Sequence, residues 1–368
     1  MLPRPAAGMP PLPGDAPLVV AGMFRTGSGV GRAAVSCLEA LQREGFRPVA
    51  ADLSAHFNQA DLEVQVPLAP FPKDKRGILV LVVNPPEVPA ALKALGLRRW
   101  HNWRIIASWV WELPVAPEAW RSAEKFVSEI WVPSCFVADA FAGQFDRPVK
   151  IVPHFTALPA LPPPATGDTL CILTLADARS SLERKNPLAS VRMFKAAFGS
   201  DAHAELTIKC RNLDLYPDYA AELVEVIGGD PRIRMLRETL SIEAQADLLQ
   251  SCDVLLSPHR AEGFGVPLAE AMALGKHVIA TGWSGNLDFM DASCAVLLPS
   301  KLIPAIDRTG VYAPLPGAVW AEPDFEAGIE ALRAVAATPE RRHAFREAGP
   351  AAIAARLGSR AYLEALRS

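Results

Sequence analysis

A loop and the helix predicted after it hold two glutamates at a spacing that suits sugar binding. Glu262 lies in the loop, and Glu270 lies about one turn inside the helix that Pro267 begins. A carboxylate accepts two hydrogen bonds at once, so it suits the vicinal hydroxyl groups of a sugar or a ribose. Between the glutamates, the backbone N–H groups of Gly265 and Val266 open the helix and favour phosphate. The pattern predicts a ligand with phosphate in the middle and a sugar on each side.

Cations gather in an earlier loop, just before another predicted helix. Asn186 and Pro187 suit the N-cap and first positions of that helix. Lys185 then lies against the positive end of the helix, and Arg179 lies upstream in the same loop. These positive groups repel one another unless an anion fills the space, and a diphosphate would satisfy them all. The alternative is that they are solvated loop charges, with Arg184 turned to water.

A glycine-rich loop follows the first predicted strand and opens a helix. Glycines at 27, 29 and 31 let the backbone approach a ligand closely, and the N–H groups at the helix start favour an anion. The spacing is G-x-G-x-G, which departs from the G-x-G-x-x-G dinucleotide fingerprint. The loop is therefore either a phosphate contact or a tight strand-to-helix turn without a ligand.

These loops follow apolar runs of strand length that alternate with segments of helical period. Because the runs are continuously hydrophobic, they predict parallel sheets covered on both faces, and ligands bind beyond the carboxyl ends of such strands. The predicted strands are 18–21, 48–51, 78–83, 104–110, 129–132, 149–152, 170–175, 205–209, 232–236, 253–256 and 277–280. The predicted helices are 30–43, 187–198, 217–227, 241–250 and 266–274, with only helical patterns from Asp324 onward.

A proline-rich stretch, Leu158–Pro164, interrupts the alternation and is stiff and polyproline-like. We interpret 158–168 as a linker. It separates a Rossmann-like domain at 1–157 from a second one at 169–335, and helices at 336–368 complete the chain. The fold class is therefore α/β, with two doubly wound parallel-sheet domains.

The segment Glu262–Glu270 resembles the E-x7-E motif of retaining glycosyltransferases of family 4 (group 1), which have the GT-B fold. Arg179 together with 184–187 resembles the diphosphate-binding cations of that family, and Gly29–Arg32 resembles its first glycine loop. Three further stretches are similar to members that act in bacterial surface-polysaccharide assembly: 280–290, 109–114 and 129–134.

The resemblance implies two Rossmann-like domains that face each other across a cleft. The N-terminal domain would bind the acceptor and the C-terminal domain the nucleotide sugar, while the helices at 336–368 would pack back on the N-terminal domain. Glu270 would hold the ribose hydroxyls, and Glu262 would contact the transferred sugar near its C3 hydroxyl.

The resemblance also assigns the remaining donor contacts. Arg179 and Lys185 would neutralise the diphosphate leaving group, and Gly29 and Gly31 would approach it from the other domain. The donor would also meet the stretch between the two glutamates, which comprises Gly263, Phe264, Gly265 and Val266.

The sequence departs from the family beside the donor sugar, where many members have a histidine. Here Trp111-Glu112 follows the strand, so Glu112 either takes that role or is a structural or exposed residue. His154 is either a cleft residue or a structural histidine. Lys209 is a further candidate for charge near the phosphate.

The implied reaction is transfer of a hexose from a GDP- or UDP-linked sugar to a glycan or lipid-linked acceptor in polysaccharide biosynthesis. The branch resemblance favours GDP-mannose. Family members are thought to retain configuration by front-face attack, so charge stabilisation at the departing phosphate is the main catalytic contribution. No cofactor is expected. The chain contains no D-x-D triplet, which favours metal-independent catalysis.

Two other functions remain open. A nicotinamide-dependent oxidoreductase would use the first glycine loop with Asp52, but it leaves the cations and the glutamates without a role. A degenerate transferase that acts as a binding subunit is the other alternative, and the intact cations and carboxylates argue against it.

Composition predicts a globular cytoplasmic protein. The net charge of −3 over 368 residues disfavours nucleic acid as a partner. Scattered cysteines without a C-x-x-C pair suit a reducing compartment, and prolines at 3 and 5 interrupt any signal peptide. No apolar run reaches the length of a membrane span. The segment 97–104 mixes cations with tryptophans, which fits either peripheral contact with the inner face of a membrane or a helix-to-strand connection with buried rings.

Overall fold

The structure is a computed structural model that describes residues 16–62, 71–72, 76–163, 167–313 and 315–368. Residues 164–166 of the predicted linker lie outside the described residues, as do the prolines at 3 and 5. The chain forms two compact units, Met1–Phe155 with Leu357–Ser368 and Thr156–Arg356.

The first unit is built on a sheet of six parallel strands in the order β2-β1-β3-β4-β5-β6. Every residue of β1 and β3 is buried, as expected for strands covered on both faces. Its strands are β1 Leu18–Gly22, β2 Val49–Asp52, β3 Ile78–Val82, β4 Arg104–Ser108, β5 Glu129–Val132 and β6 Val149–Ile151. Its first helices are α1 Gly29–Arg43, α2 Val88–Ala94 and α3 Cys135–Phe141.

The second unit repeats this plan with a sheet in the order β12-β11-β10-β7-β8-β9, again parallel throughout. The strands are β7 Leu170–Asp177, β8 Ala204–Arg211, β9 Ile233–Leu236, β10 Val254–Ser257, β11 His277–Thr281 and β12 Val296–Leu298. The helices are α4 Leu182–Lys185, α5 Pro187–Phe198, α6 Pro217–Ile227, α7 Ile242–Ser251 and α8 Val266–Ala273. The predicted fold class, two doubly wound α/β units, is confirmed.

The strand order of the second unit reverses between β7 and β10, which are neighbours in the sheet. Successive strands run outward from β7 on one side and from β10 on the other. The loops after β7 and β10 therefore leave the carboxyl edge side by side, which is where doubly wound sheets bind ligands. These are the two loops that carry the predicted cations and Glu262.

The structure adds elements that the sequence pattern does not predict. An antiparallel hairpin, β13 Ser300–Pro304 with β14 Val319–Pro323, lies outside the parallel sheet. Its first strand is mostly exposed, so it lacks the continuous apolar run that marks the other strands. β7 and β8 extend into polar residues, so Lys209 lies within β8, and β4 ends at Ser108 rather than at 110.

The C-terminal helices are divided between the two units. α9 Phe325–Ala336, α10 Pro339–Arg342 and α11 Ala348–Arg356 lie in the second unit, whereas α12 Arg360–Arg367 lies in the first. Arg104 and Lys150 donate to the last carbonyl groups of α12 at 2.7 and 3.2 Å, where cations favour the negative end of a helix. The second unit thus extends to Arg356, and the sequence-based boundary at 335 stays a prediction.

The tryptophans of the 97–104 segment are buried in the first unit. Trp100 and Trp103 are fully buried, while Arg98, Arg99 and His101 are exposed. The rings therefore belong to the helix-to-strand connection. Among the described residues, none of the helices is both long and apolar enough to cross a membrane.

Two glycines of the first glycine loop offer a matched stability test. A Cβ on Gly31 would lie 2.4 Å from the backbone oxygen of Thr26, whereas a Cβ on Gly29 would meet nothing within 4 Å. We expect Gly31→Ala to lower the free energy of unfolding by about 1–3 kcal/mol because the backbone must shift. Gly29→Ala should change it little. Urea unfolding of both variants checks this, and equal stability of the two would contradict it.

Candidate functional site

The turn that carries Arg184 and Lys185 has an unusual backbone at both ends. Ser181 and Asn186 have φ values of 66° and 56°, which are uncommon for residues other than glycine. The Ser181 hydroxyl donates to Asp307 Oδ1 at 2.9 Å, and Asn186 Nδ2 donates to the Pro258 carbonyl at 3.0 Å. Asn186 stands at the predicted N-cap position, but its side chain bonds this distant loop instead of capping α5. Tertiary contacts therefore fix the turn.

Glu262 is buried and shared by two cations from this turn. Its Oε1 lies 2.5 Å from Lys185 Nζ, and its Oε2 lies 3.1 Å from Arg184 Nη1. Burial alone would raise the pKa of Glu262, but the charges of Lys185 and Arg184 outweigh it and lower the pKa to about 2. The carboxylate is therefore ionised at neutral pH and leaves one net positive charge on the cluster.

The structure shows which of the cations in this loop pair with Glu262. Arg184, for which exposure to water was one alternative, is 3% exposed and also donates to the Ala261 carbonyl at 2.7 Å. Arg179 is exposed, and its backbone N–H donates to Asp177 Oδ1 at 3.1 Å. Lys185 and Arg184, rather than Arg179, are the cations that Glu262 holds. The alternative in which Arg184 faces water is therefore wrong, because the buried Glu262 carboxylate has a second charge partner that the local sequence does not reveal.

The helix after the Glu262 loop begins as the glycines predict. Gly265 has a φ of 98°, and a Cβ there would lie 2.9 Å from Leu268, so only glycine fits. Val266 is the first residue of α8, and no described side chain caps this helix. Glu270 follows about one turn later and is half-buried. The helix start thus presents backbone N–H groups between the two glutamates.

The other residues of this loop serve packing. Phe264 is buried against Phe289, with ring centroids 5.0 Å apart. Gly263 approaches another backbone closely, since a Cβ on Gly285 would lie 2.2 Å from its carbonyl oxygen. Both residues therefore shape the loop by packing.

A turn that sequence reasoning did not assign to the site holds the backbone of Glu262. The Glu262 N–H donates to Ser284 Oγ at 2.8 Å, and the Gly285 N–H donates to the Glu262 carbonyl at 2.9 Å. His259 contacts the same turn, with its Nε2 atom 3.2 Å from Asn286 Oδ1, and burial lowers the pKa of His259. Ser284, Gly285 and Asn286 lie in the 280–290 stretch, whose resemblance to the family was the sequence signal that could have identified this turn.

The carboxyl ends of β7 and β8 hold another buried charge pair. Arg211 Nε donates to Asp177 Oδ2 at 2.6 Å, and Asn212 Nδ2 donates to Asp177 Oδ1 at 2.8 Å. Lys209 is 4% exposed in the same strand. The predicted strand 205–209 ends at Lys209, so Arg211 and Asn212 were not among the candidate residues.

The candidate residues of the first unit lie in α1, in the loop after β4 and just after β6. Gly29 is exposed at the start of α1, and Gly31 is buried against the preceding turn. Glu112 is half-buried in the loop after β4. His154 is buried, which lowers its pKa to about 4 and keeps it neutral at pH 7. Gly31 is thus explained by packing, while Gly29 leaves room for a ligand.

Asp52, the ribose-binding candidate of the oxidoreductase alternative, is already engaged. Its Oδ2 accepts from Arg25 Nε at 2.6 Å, and its Oδ1 accepts from the Ser54 hydroxyl at 2.6 Å. The bonds to Arg25 and Ser54 outweigh burial and lower the pKa of Asp52. Both oxygens therefore have partners within the protein.

Comparison with known proteins agrees with this geometry. Residues 184–306 match a family model described as Glycosyl transferases group 1, and this span includes Arg184, Lys185, Glu262 and Glu270. No curated protein matches the chain. About a third of the chain, 184–306, is therefore similar to the group 1 glycosyl transferases.

Solved structures at low identity share the fold. A glycosyltransferase from Rickettsia africae has a TM-score of 0.65 at 13% identity, covering 96% of this chain and 97% of its own. Anabaena HepE in complex with UDP and glucose has a TM-score of 0.63 at 13% identity, covering 95% and 98%. Staphylococcus aureus TarM, in complex with fondaparinux, alpha-GlcNAc-glycerol and UDP, has a TM-score of 0.57 at 13% identity and 78% coverage. The chain spans 54% of that TarM structure. The fold is GT-B.

The shared carboxylate gives a pH test. Because the pKa of Glu262 falls from 4.5 to about 2 on folding, its ion pairs stabilise fully above about pH 4.5 and are lost as the pH falls toward 2. Glu262→Gln should lower the free energy of unfolding by about 3 kcal/mol at neutral pH, since it strands two cations. That difference should shrink between pH 5 and pH 3.

Urea unfolding of the wild type and the variant across this pH range measures the difference. Glu330→Gln, at an exposed position of α9, is the control and should match the wild type throughout. A gap between wild type and Glu262→Gln that stays constant with pH would contradict the ionised assignment.

Proposed function

We propose that the protein is a retaining, family 4 glycosyltransferase that moves a hexose from a nucleotide diphosphate sugar to an acceptor. The observation that carries the proposal is the Glu262 carboxylate buried between Arg184 and Lys185, beside a helix start that leads to Glu270. A cluster with one net positive charge at the carboxyl edge of a doubly wound sheet suits a diphosphate.

The proposed chemistry is electrostatic. As the sugar–phosphate bond breaks, negative charge grows on the departing diphosphate, and Lys185 and Arg184 stabilise it together with the helix N–H groups. Arg179, exposed in the same loop, would add its charge when the donor binds. This set of cations supplies the role that a metal ion has in other transferases, so we propose catalysis without a metal or cofactor.

The proposed carboxylate roles follow from hydrogen-bonding capacity. Glu270 accepts from the ribose hydroxyls, and Glu262, held in place by both cations, accepts from a hydroxyl of the transferred sugar. UDP accompanies HepE and TarM in their structures, so UDP- and GDP-linked hexoses are the donors to test, with GDP-mannose first. The acceptor is a glycan or a lipid-linked glycan of polysaccharide biosynthesis, made in the cytoplasm or at the inner face of the membrane.

Nucleotide binding is tested by thermal protection. UDP or GDP should raise the melting temperature of the wild type, whereas NADH should not. Glu270→Ala should weaken nucleotide binding at least about 30-fold, because it removes charge-assisted hydrogen bonds to the ribose. Glu330→Ala is the matched control and should bind as the wild type does. Protection by NADH alone would favour the oxidoreductase instead.

Catalysis is tested by hydrolysis or transfer of the donor. Lys185→Ala should lower kcat about 10²–10³-fold, since it removes one charged donor at the leaving group. Lys93→Ala, at an exposed position of α2, should leave kcat unchanged. NMR of the product reports whether the anomeric configuration is retained. Full activity of Lys185→Ala would exclude the mechanism, and nucleotide binding without any turnover would favour a degenerate transferase.

A further inference from the structure

The two loops of the candidate site exchange arginine side chains. Arg184 Nη1 donates to the carbonyl of Ala261 at 2.7 Å, beside Glu262. In the opposite direction, Arg260 Nη1 donates to the carbonyl of Glu183 at 2.6 Å and lies 3.4 Å from its carboxylate. The Arg260 N–H also donates to the Arg184 carbonyl at 2.7 Å. We call this pair of crossed side chains the arginine clasp.

The clasp is shielded and long-range. Arg184 and Glu183 are buried, and the Arg260 side chain is 16% exposed. Because 77 residues separate the paired positions, no local element sets the distance between the loops. Hydrogen bonds to charged groups are among the stronger contributions, so the clasp is well suited to fix that distance.

The β13–β14 hairpin fixes Arg260 from the other side. Glu322 Oε2 accepts from Arg260 Nε at 2.5 Å, and the Ala321 N–H donates to the Arg260 carbonyl at 2.9 Å. The Arg260 guanidinium carbon also lies 5.7 Å from the centre of the Trp320 ring. Its charge is matched by Glu322 and Glu183, so Arg260 contributes geometry rather than net charge.

The connection inside the hairpin binds the same turn. Arg308 pairs with the carboxylate of Glu183, and Asp307 accepts from Ser181 at 2.9 Å. The connection of the hairpin thus holds the turn of Arg184 and Lys185 through Ser181 and Glu183. This gives the unpredicted hairpin a role at the site.

We propose that Arg260 is a positioning residue for sugar transfer, and that it sets the place of Lys185 and Arg184 relative to Glu262. The inference rests on the proposed function. Arg260 acts through Glu183 and the turn, and its side chain does not bond Glu262. Misplacing a reacting group by about 1 Å can cost 10²-fold in rate, so loss of the clasp affects the chemical step. Nucleotide held by Glu270 is affected less.

The test compares Arg260→Gln, Arg260→Lys and a control, Arg333→Gln. Arg333 is an exposed arginine of α9 in the same unit, and its guanidinium donates to the Ala196 and Ala197 carbonyls at 3.0 and 3.2 Å. Hydrolysis is measured with UDP-glucose and GDP-mannose, and nucleotide affinity with UDP and GDP. Arg260→Gln should lower kcat about 10–100-fold, with KM and the nucleotide Kd within about threefold of the wild type.

Arg260→Lys should recover part of kcat, because an ammonium group reaches one acceptor but lacks the fork of the guanidinium. The control should match the wild type. An unchanged kcat in Arg260→Gln overturns the inference. So does a parallel fall of kcat, nucleotide affinity and melting temperature in both Arg260 variants, which would indicate a general loss of structure.

If Arg260→Gln does not fold, Glu322→Gln takes its place. It keeps Arg260 on Glu183 but weakens the hairpin anchor, and it should lower kcat about threefold to tenfold at unchanged KM. An unchanged kcat there overturns the inference. A wild type that hydrolyses neither donor and binds neither nucleotide defeats the proposed function and the inference with it. An active wild type beside an equally active variant defeats the inference alone.

Discussion

One buried carboxylate that serves two cations governs the arrangement of the second unit. Glu262 ionises although burial opposes it, because Lys185 and Arg184 lie within 3.1 Å of its oxygens. A buried charge of this kind requires rigid partners, since a displaced partner would leave it unpaired at a cost of several kcal/mol. The strained turn before α5 and the hydrogen bonds from Ser284 and Gly285 provide that rigidity.

The sheet supplies the proximity that this interaction needs. Reversal of the strand order between β7 and β10 makes neighbours of two loops that are far apart in sequence. The glycine-started helix α8 then adds backbone donors to the same edge, with Glu270 one turn further on. Positive charge, backbone N–H groups at the start of α8 and a second carboxylate therefore lie along one edge of the sheet, an arrangement that suits a diphosphate.

Polar residues that do not bond Glu262 directly complete the candidate site. The β13–β14 hairpin is mostly exposed on one strand, yet its Glu322 pairs with Arg260, and Asp307 of its connection accepts from Ser181 in the turn of Arg184 and Lys185. A buried hydrogen-bond network specifies one arrangement of its side chains when every polar group in it has a partner. The first unit has a similar pairing at Asp52, whose oxygens accept from Arg25 and Ser54.

The sequence by itself determined the parallel-sheet units, since continuous apolar strands and helical periods are local patterns, and it located Glu262, Glu270 and Lys185 from their neighbours in the chain. The tertiary structure decided which charges meet. It buried Arg184, left Arg179 exposed and added Arg211, because pairing across loops depends on strand order and not on spacing. It also paired β13 with β14 as a hairpin, and it divided the C-terminal helices between the two units after Arg356. Both depend on contacts between residues distant in sequence, for which periodicity carries no signal.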